Sequence, residues 1–226
     1  MQRVSTIAID GQVASGKTAV GRLLAQRLGF QFLDTGLMYR AVTVIAINAK
    51  ASLAYPESIV ALARGTNIKF PDLRVDQRVV IDGWDATDSL RSSKVELLVS
   101  HVAQIPGVRD VLVAEQRKLA ATGCMVMAGR DIGTVVLPGA DLKLFLCASL
   151  EERTKRRWEQ YIQEGRTSAF SEIGNELEQR DRLDTERYLS PLRQAEEAIV
   201  LDTDDAGVDE LVTKILQLVA DGECNG

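Results

Sequence analysis

Eight residues near the start of the chain, Gly11-Gln12-Val13-Ala14-Ser15-Gly16-Lys17-Thr18, limit what it can fold into more than any other feature. They match the pattern G-x-x-x-x-G-K-[ST], and their flanks suit it. Apolar Ile7-Ala8-Ile9 reads as a strand leading in. Val20, Leu23, Leu24 and Leu28 follow at helical spacing until Gly29 closes the helix. A strand that feeds such a loop into a helix turns backbone N–H groups toward one point, and the helix dipole favours an anion there. Lys17 can bridge the β- and γ-phosphates of a nucleotide, and the Thr18 hydroxyl can coordinate Mg²⁺. Residues 11–18 are therefore expected to hold a nucleoside triphosphate. A Gly-rich turn with a surface lysine is the bland alternative, and both flanks disfavour it. The loop alone does not separate a kinase from a GTPase or a motor ATPase.

The rest of the chain alternates strands and helices. Phe30, Phe32-Leu33 and Asp34-Thr35-Gly36 extend the start into β-α-β. Residues 67–70 and 78–81 read as a strand pair, with Asp82-Gly83 as a turn before Trp84. Ser93-Lys94-Val95-Glu96 has capping-box spacing. Pro106 ends that helix and opens the next, which carries Val108, Val111, Leu112 and Leu119. Residues 124–128 and 142–148 are short apolar runs, as central parallel strands should be. Ser149-Leu150-Glu151-Glu152 is a second capping box and launches Arg153, Lys155, Arg156 and Arg157. A charged stretch at 179–187 stops before Pro191, and a strand at 198–201 and an amphipathic helix at 211–219 finish the chain. The pattern is that of an α/β protein.

Composition excludes some functions. The chain has 226 residues, 27 of them basic and 32 acidic, for a net charge of −5. That balance argues against a nucleic-acid-binding protein, although it allows a local basic cleft. A single histidine, His101, disfavours a zinc site or a Ser-His-Asp hydrolase. Cys124, Cys147 and Cys224 are odd in number, and the first two are expected to pack as small hydrophobes in a reducing compartment. No run approaches the ~18 apolar residues of a membrane span. The first ten residues, broken by Asp10, do not read as a signal peptide. A cytoplasmic protein with no membrane partner is expected. Trp84, Trp158 and His101 read as packing residues. Asp10 and Asp34 are equally suited to ordering Mg²⁺-bound water and to capping a turn.

The chain lacks the Asn-Lys dipeptide of a guanine-reading switch protein, and its arginine-rich 153–187 region suits a small-molecule kinase. Four segments then carry a specific resemblance: Ile7 through the phosphate loop; Leu33-Asp34-Thr35-Gly36-Leu37-Met38-Tyr39-Arg40; Gly129-Arg130-Asp131-Ile132-Gly133-Thr134-Val135-Val136; and Arg180-Asp181 with Asp184, Arg187 and Pro191-Leu192. Their order and spacing resemble bacterial cytidylate kinases over nearly the whole chain. The resemblance implies a P-loop NTPase-type parallel sheet flanked by helices, with an inserted monophosphate-binding lobe and a helical lid. The corresponding division is a core of residues 1–38, 106–152 and 190–226, a lobe of 39–105 and a lid of 153–189. Two positions depart from the family: Ala128 stands where an acidic residue is common, and Gln12-Val13 replace Pro-Ala.

The same resemblance assigns roles. Arg40 and Arg130 would grip the acceptor phosphate, a task suited to a permanently charged planar guanidinium. Thr35 would line that pocket, while Ser100, Arg109 and Asp131 would read cytosine. Arg180 and Asp184 would hold the ribose, with Arg187 on the phosphate side. The spacing of Arg180, Asp184 and Arg187 puts all three on one helix face. Lid arginines, with Arg153 and Arg157 foremost, would stabilise the transferring phosphoryl group beside Lys17 and Arg130. The expected reaction is ATP + CMP giving ADP + CDP, with dCMP as a second acceptor, Mg²⁺ as cofactor, no nucleic-acid partner and a monomeric state. Two alternatives stay open: a kinase for uridylate or a non-nucleotide metabolite, and a nucleotide-regulated binding protein without turnover.

Overall fold

The structure is a computed structural model that describes residues 4–74 and 77–224, with side chains described up to residue 220. Met1, Gln2, Arg3 and the side chain of Cys224 thus lie outside the described residues. Five strands form the main sheet: β1 (Thr6–Gly11), β2 (Gln31–Asp34), β6 (Met125–Gly129), β7 (Leu142–Cys147) and β8 (Ile199–Asp202). Their order is β2-β6-β1-β7-β8, and every pairing is parallel. Side chains alternate across the sheet, and both faces are covered. Ala8, Leu33, Met125 and Met127 pack on one side, while Ile7, Ile9, Val126 and Ala128 pack on the other. Burial on both faces explains why these strands read as continuous apolar runs rather than as alternating ones.

Two helices cover the second face: α1 (Lys17–Leu28) and α8 (Val208–Cys224). The first face carries α2 (Gly36–Asn48), α3 (Pro56–Gly65), α4 (Ser93–Val102) and α5 (Pro106–Ala120). Between α3 and α4 lies a small antiparallel sheet of β3 (Ile68–Lys69), β4 (Val80–Ile81) and β5 (Trp84–Asp85). The strand pair read from the sequence is present, and Asp82-Gly83 makes the β4–β5 turn with both φ angles positive (48° and 87°). A charged hairpin, α6 (Leu150–Gln163) and α7 (Phe170–Glu186), stands over the carboxyl ends of the strands beside the phosphate loop.

Several local readings change. Helices α2 and α3 had no counterpart in the pattern reading. At α4 the capping box does not form: the N-cap is Ser92, and no side chain caps the helix. At α6 half of the box forms. Ser149 Oγ accepts from the Glu152 N–H at 3.2 Å, while the Ser149 N–H donates to Asp204 at 2.7 Å. Arg187 is not on the helix with Arg180 and Asp184, because α7 ends at Glu186 and Arg187 is extended. Cys124 is exposed rather than packed, and Trp84 is 49% exposed. Among the described residues no single helix is long and apolar enough to cross a membrane.

Candidate active site

The carboxyl ends of β1, β2 and β6 lie side by side, since Asp10 is in register with Gly129 and Asp34 with Ala128. The loops that follow them therefore converge, as expected for ligand sites in parallel sheets. After β1 comes the phosphate loop. Gly11 has φ 151°, and a Cβ there would sit 2.1 Å from the Leu146 carbonyl oxygen, so only glycine fits. Gly16 is the N-cap of α1 in the left-handed conformation. Lys17 folds back over the loop and donates to the Gln12 carbonyl and, at 3.2 Å, to Ser15 Oγ. Thr18 Oγ1 donates to Asp34 Oδ2 at 2.7 Å.

After β6 the chain enters a single π-helical turn, Ile132–Val136. Asp10 holds its start: one carboxylate oxygen accepts from the Ile132 N–H and the other from the Gly133 N–H, both at 2.7 Å. Asp10 thus caps a turn rather than pointing into the cleft. This anchor fixes Arg130 and Asp131, the residues just before the turn. Arg130 donates to Asp184 at 2.8 Å. Asp131 pairs with Arg109, which is buried against the Tyr39 ring, and lies 3.5 Å from Arg187. Thr35 is buried and donates to the Ala128 carbonyl at 3.0 Å. The backbone oxygen of Ala128 thus has a polar role that does not need an acidic side chain.

These residues line two joined cavities. The larger, about 430 Å³, runs along the phosphate loop from Val13 to Thr18 and is walled by Arg156 and Arg157 of α6. The narrower one contains Thr35, Ser100, Arg109, Asp131, Asp184 and Arg187. Asp34, Arg40, Arg130 and Arg180 belong to both. Every expected acceptor residue is therefore gathered at one place. Arg153 differs from the expectation. It is buried off the cavity wall, pairs with Asp181 and donates to the Val13 carbonyl at 3.3 Å, so it braces the loop from behind. Asp181 in turn accepts from the Val13 N–H at 3.2 Å.

The electrostatics are those of an anion site. Burial and the Arg130 charge press Lys17 well below its usual range. Burial, then Arg40 and Arg130, push Arg180 down to about 10, and its Nε is buried with no hydrogen-bond partner among the described residues. Burial and Arg157 also lower Arg40, against the pull of Glu96. Arg130 goes the other way, because Asp184 outweighs the cost of burial. Crowded cations of this kind are relieved by a polyanion between them.

A family model described as "Cytidylate kinase" matches residues 7–221. The chain belongs to the cytidylate kinase family. A cytidylate kinase from Geobacillus sp. is 43% identical over 213 residues, covering 94% of this chain and 95% of the relative. One from Bacillus subtilis is 39% identical over 219 residues, covering 97% and 98%. Among solved structures, a shikimate kinase from Bacteroides thetaiotaomicron aligns with TM-score 0.50 at 13% identity, over 95% of this chain and 98% of that one. An uncharacterised protein from Eubacterium ventriosum aligns with TM-score 0.55 at 14% identity, over 97% and 99%. These two likenesses show the P-loop α/β fold alone.

Within this cytidylate kinase family chain, sequence reasoning missed two site residues. Glu96 was read as a helix cap but faces Arg157, Arg166 and Arg40. Asp181 lay inside a quoted segment without a role, whereas Arg156, which stood beside Arg153 and Arg157 among the lid arginines, is on the cavity wall. A carboxylate or guanidinium in a charged helix carries no local mark of what it meets across the fold.

Proposed function

We propose that the chain is a (d)CMP kinase that transfers the γ-phosphoryl group of ATP to CMP, and also to dCMP, giving ADP and CDP or dCDP. One observation carries this reading: the phosphate loop and the buried Arg109–Asp131 pair lie at opposite ends of two cavities that meet at Arg40, Arg130 and Arg180. Two nucleotides placed head to head would bring their phosphates together at that meeting point. In this reading residues 39–105 serve as the acceptor lobe and 153–189 as the lid.

The acceptor phosphate has its second pKa near ~6, so its attacking oxygen is already ionised at neutral pH and needs no protein base. The chain's work is positioning and charge neutralisation. Backbone N–H groups of residues 11–18 cradle the ATP phosphates. Lys17, Arg130 and Arg157 stabilise charge on the transferring group. Thr35, Arg40, Arg130 and Arg187 hold the acceptor phosphate, while Arg180 and Asp184 hold the ribose hydroxyls, with Asp184 also orienting Arg130. Arg153 acts through the loop that it braces. Asp131 accepts from the cytosine amine, Arg109 donates to the ring nitrogen and carbonyl, and Ser100 lies beside them. Uracil presents a carbonyl oxygen where cytosine has the amine, so an acceptor faces the Asp131 carboxylate, which a buried site penalises. The oxygen donors Thr18 and Asp34 suit Mg²⁺ and would hold it with the phosphates. When bound, the ion supplies further charge neutralisation.

An ADP-release assay across CMP, dCMP, UMP and AMP tests the proposal. CMP should give the highest kcat/KM, and Lys17→Ala should lower turnover on the order of 10³-fold. Equal or better rates with UMP or AMP would overturn the choice of acceptor. ATP binding without acceptor-dependent ADP would point to a binding protein.

A further inference from the structure

Glu96 lies midway along α4 and is the one acidic side chain within 4 Å of three arginines among the described ion pairs. One of its oxygens accepts from Arg157 on α6. The other accepts from Arg166, in the turn between α6 and α7, at 3.2 Å, and from the Tyr161 hydroxyl at 3.3 Å. Arg40 on α2 stands 3.9 Å away. The Tyr161 ring lies against both lid guanidiniums, at 3.8 Å from Arg166 and 4.8 Å from Arg157. Burial works against the Glu96 charge, but Arg157, Arg40 and Arg166 outweigh it and hold its pKa below the ordinary carboxylate value. The carboxylate is therefore ionised throughout the working pH range.

The arrangement is not an incidental surface pair. The Glu96 side chain is only 13% exposed, and its partners lie 61 and 70 residues away in sequence. It does not cap its own helix. Its two oxygens also do different things. Arg157 is on the wall of the phosphate-loop cavity, whereas Arg166 is outside that cavity. One carboxylate thus joins the cleft wall, the turn at the tip of the α6–α7 hairpin and the acceptor side.

We propose that Glu96 is a positioning residue that fastens the α6–α7 hairpin to α4 and so sets where Arg157 stands over the phosphate loop. The kinetic part of this proposal rests on the (d)CMP kinase reading; the mechanical part does not. Without the Glu96 charge, Arg157, Arg166 and Arg40 repel one another and the hairpin is released. A displaced Arg157 lowers the rate of transfer, because misplacement of about 1 Å is enough to impair phosphoryl transfer. Acceptor binding is spared, since Arg40 keeps its bond to the Leu90 carbonyl at 2.8 Å.

The chain has two tryptophans, and Trp158 follows Arg157 on α6, edge to face with Phe170 of α7 at 6.5 Å. A Trp84→Phe background therefore leaves one reporter on the hairpin. In that background Glu96→Gln should speed the fluorescence anisotropy decay of Trp158 in the ligand-free protein. It should also lower kcat on the order of tenfold without raising the KM for CMP. Glu96→Asp should recover part of both effects, and Arg166→Gln should reproduce the anisotropy change. Unchanged anisotropy in Glu96→Gln would overturn the proposal. So would a fall in kcat matched by an equal fall in the fraction of titratable active sites, which would mark a merely structural residue. If the unaltered chain fails the acceptor panel, the kinase reading falls and the anisotropy result alone decides the role of Glu96.

Discussion

Asp10 shows how much one buried carboxylate can organise. It sits at the end of β1, yet it fixes the turn that carries Arg130 and Asp131. Burial pushes its pKa up from 3.8 to about 6, against the two N–H groups that favour its charge. The sign follows from linkage. A proton is held more tightly by the folded chain, so the contribution to stability is full below the unfolded pKa and is lost as pH rises through about 6. The unfolding free energy of the unaltered chain minus that of Asp10→Asn should therefore fall between about pH 4 and pH 6 and then level off. Urea titrations across that range check it; a flat difference would contradict the burial of a titrating Asp10. Neither the anchor nor its energetics could be read locally, because the two N–H groups come from residues more than a hundred positions away.

At the scale of elements, legibility depended on where the stabilising contacts lay. The strand-loop-helix at the start was legible because loop chemistry and helix periodicity are both local. Helix α2 was not, since Met38, Tyr39, Ala41, Val42, Thr43, Val44 and Ala46 are all buried and leave little polar face to reveal a period. Helix α3 did carry a signal, Pro56 at its first turn followed by Glu57, that went unread. Arg187 was misplaced because spacing counts residues but does not say where a helix stops. Helix α1 packs against β2 so closely that a Cβ on Gly21 would lie 2.5 Å from the Phe32 ring. Gly21→Ala should therefore destabilise by roughly 1–3 kcal/mol through overpacking, despite the better helix propensity of alanine. Chemical denaturation measures it, and pairing the change with Phe32→Leu should restore part of the loss; a stabilised Gly21→Ala would show that the ring moves freely.

For the whole molecule the sheet order decides the chemistry. The crossover that puts β6 between β2 and β1 brings the Thr35, phosphate-loop and Arg130 segments to one edge, and the α6–α7 hairpin closes the far side. A chain of net charge −5 can thus bind two polyanions, because its cations are concentrated in one cleft. Ligands that bind only the folded state should then raise its stability. CMP at a hundred times its Kd should add about 2.7 kcal/mol, and UMP at the same concentration should add less. Thermal unfolding with each nucleotide reads the difference; equal shifts would argue against amine recognition by Asp131.

The amino-acid sequence by itself determined the phosphate loop, the alternation of strands and helices, and the set of arginines and aspartates available for an acceptor. These are local or compositional properties, written in neighbouring residues. Only the tertiary structure decided the strand order, which arginines face the cleft, that Arg153 braces the loop instead, and that Glu96 ties three arginines together. Those outcomes depend on side chains far apart in sequence meeting in a low-dielectric interior, where each charge is fixed by the partners that the fold supplies.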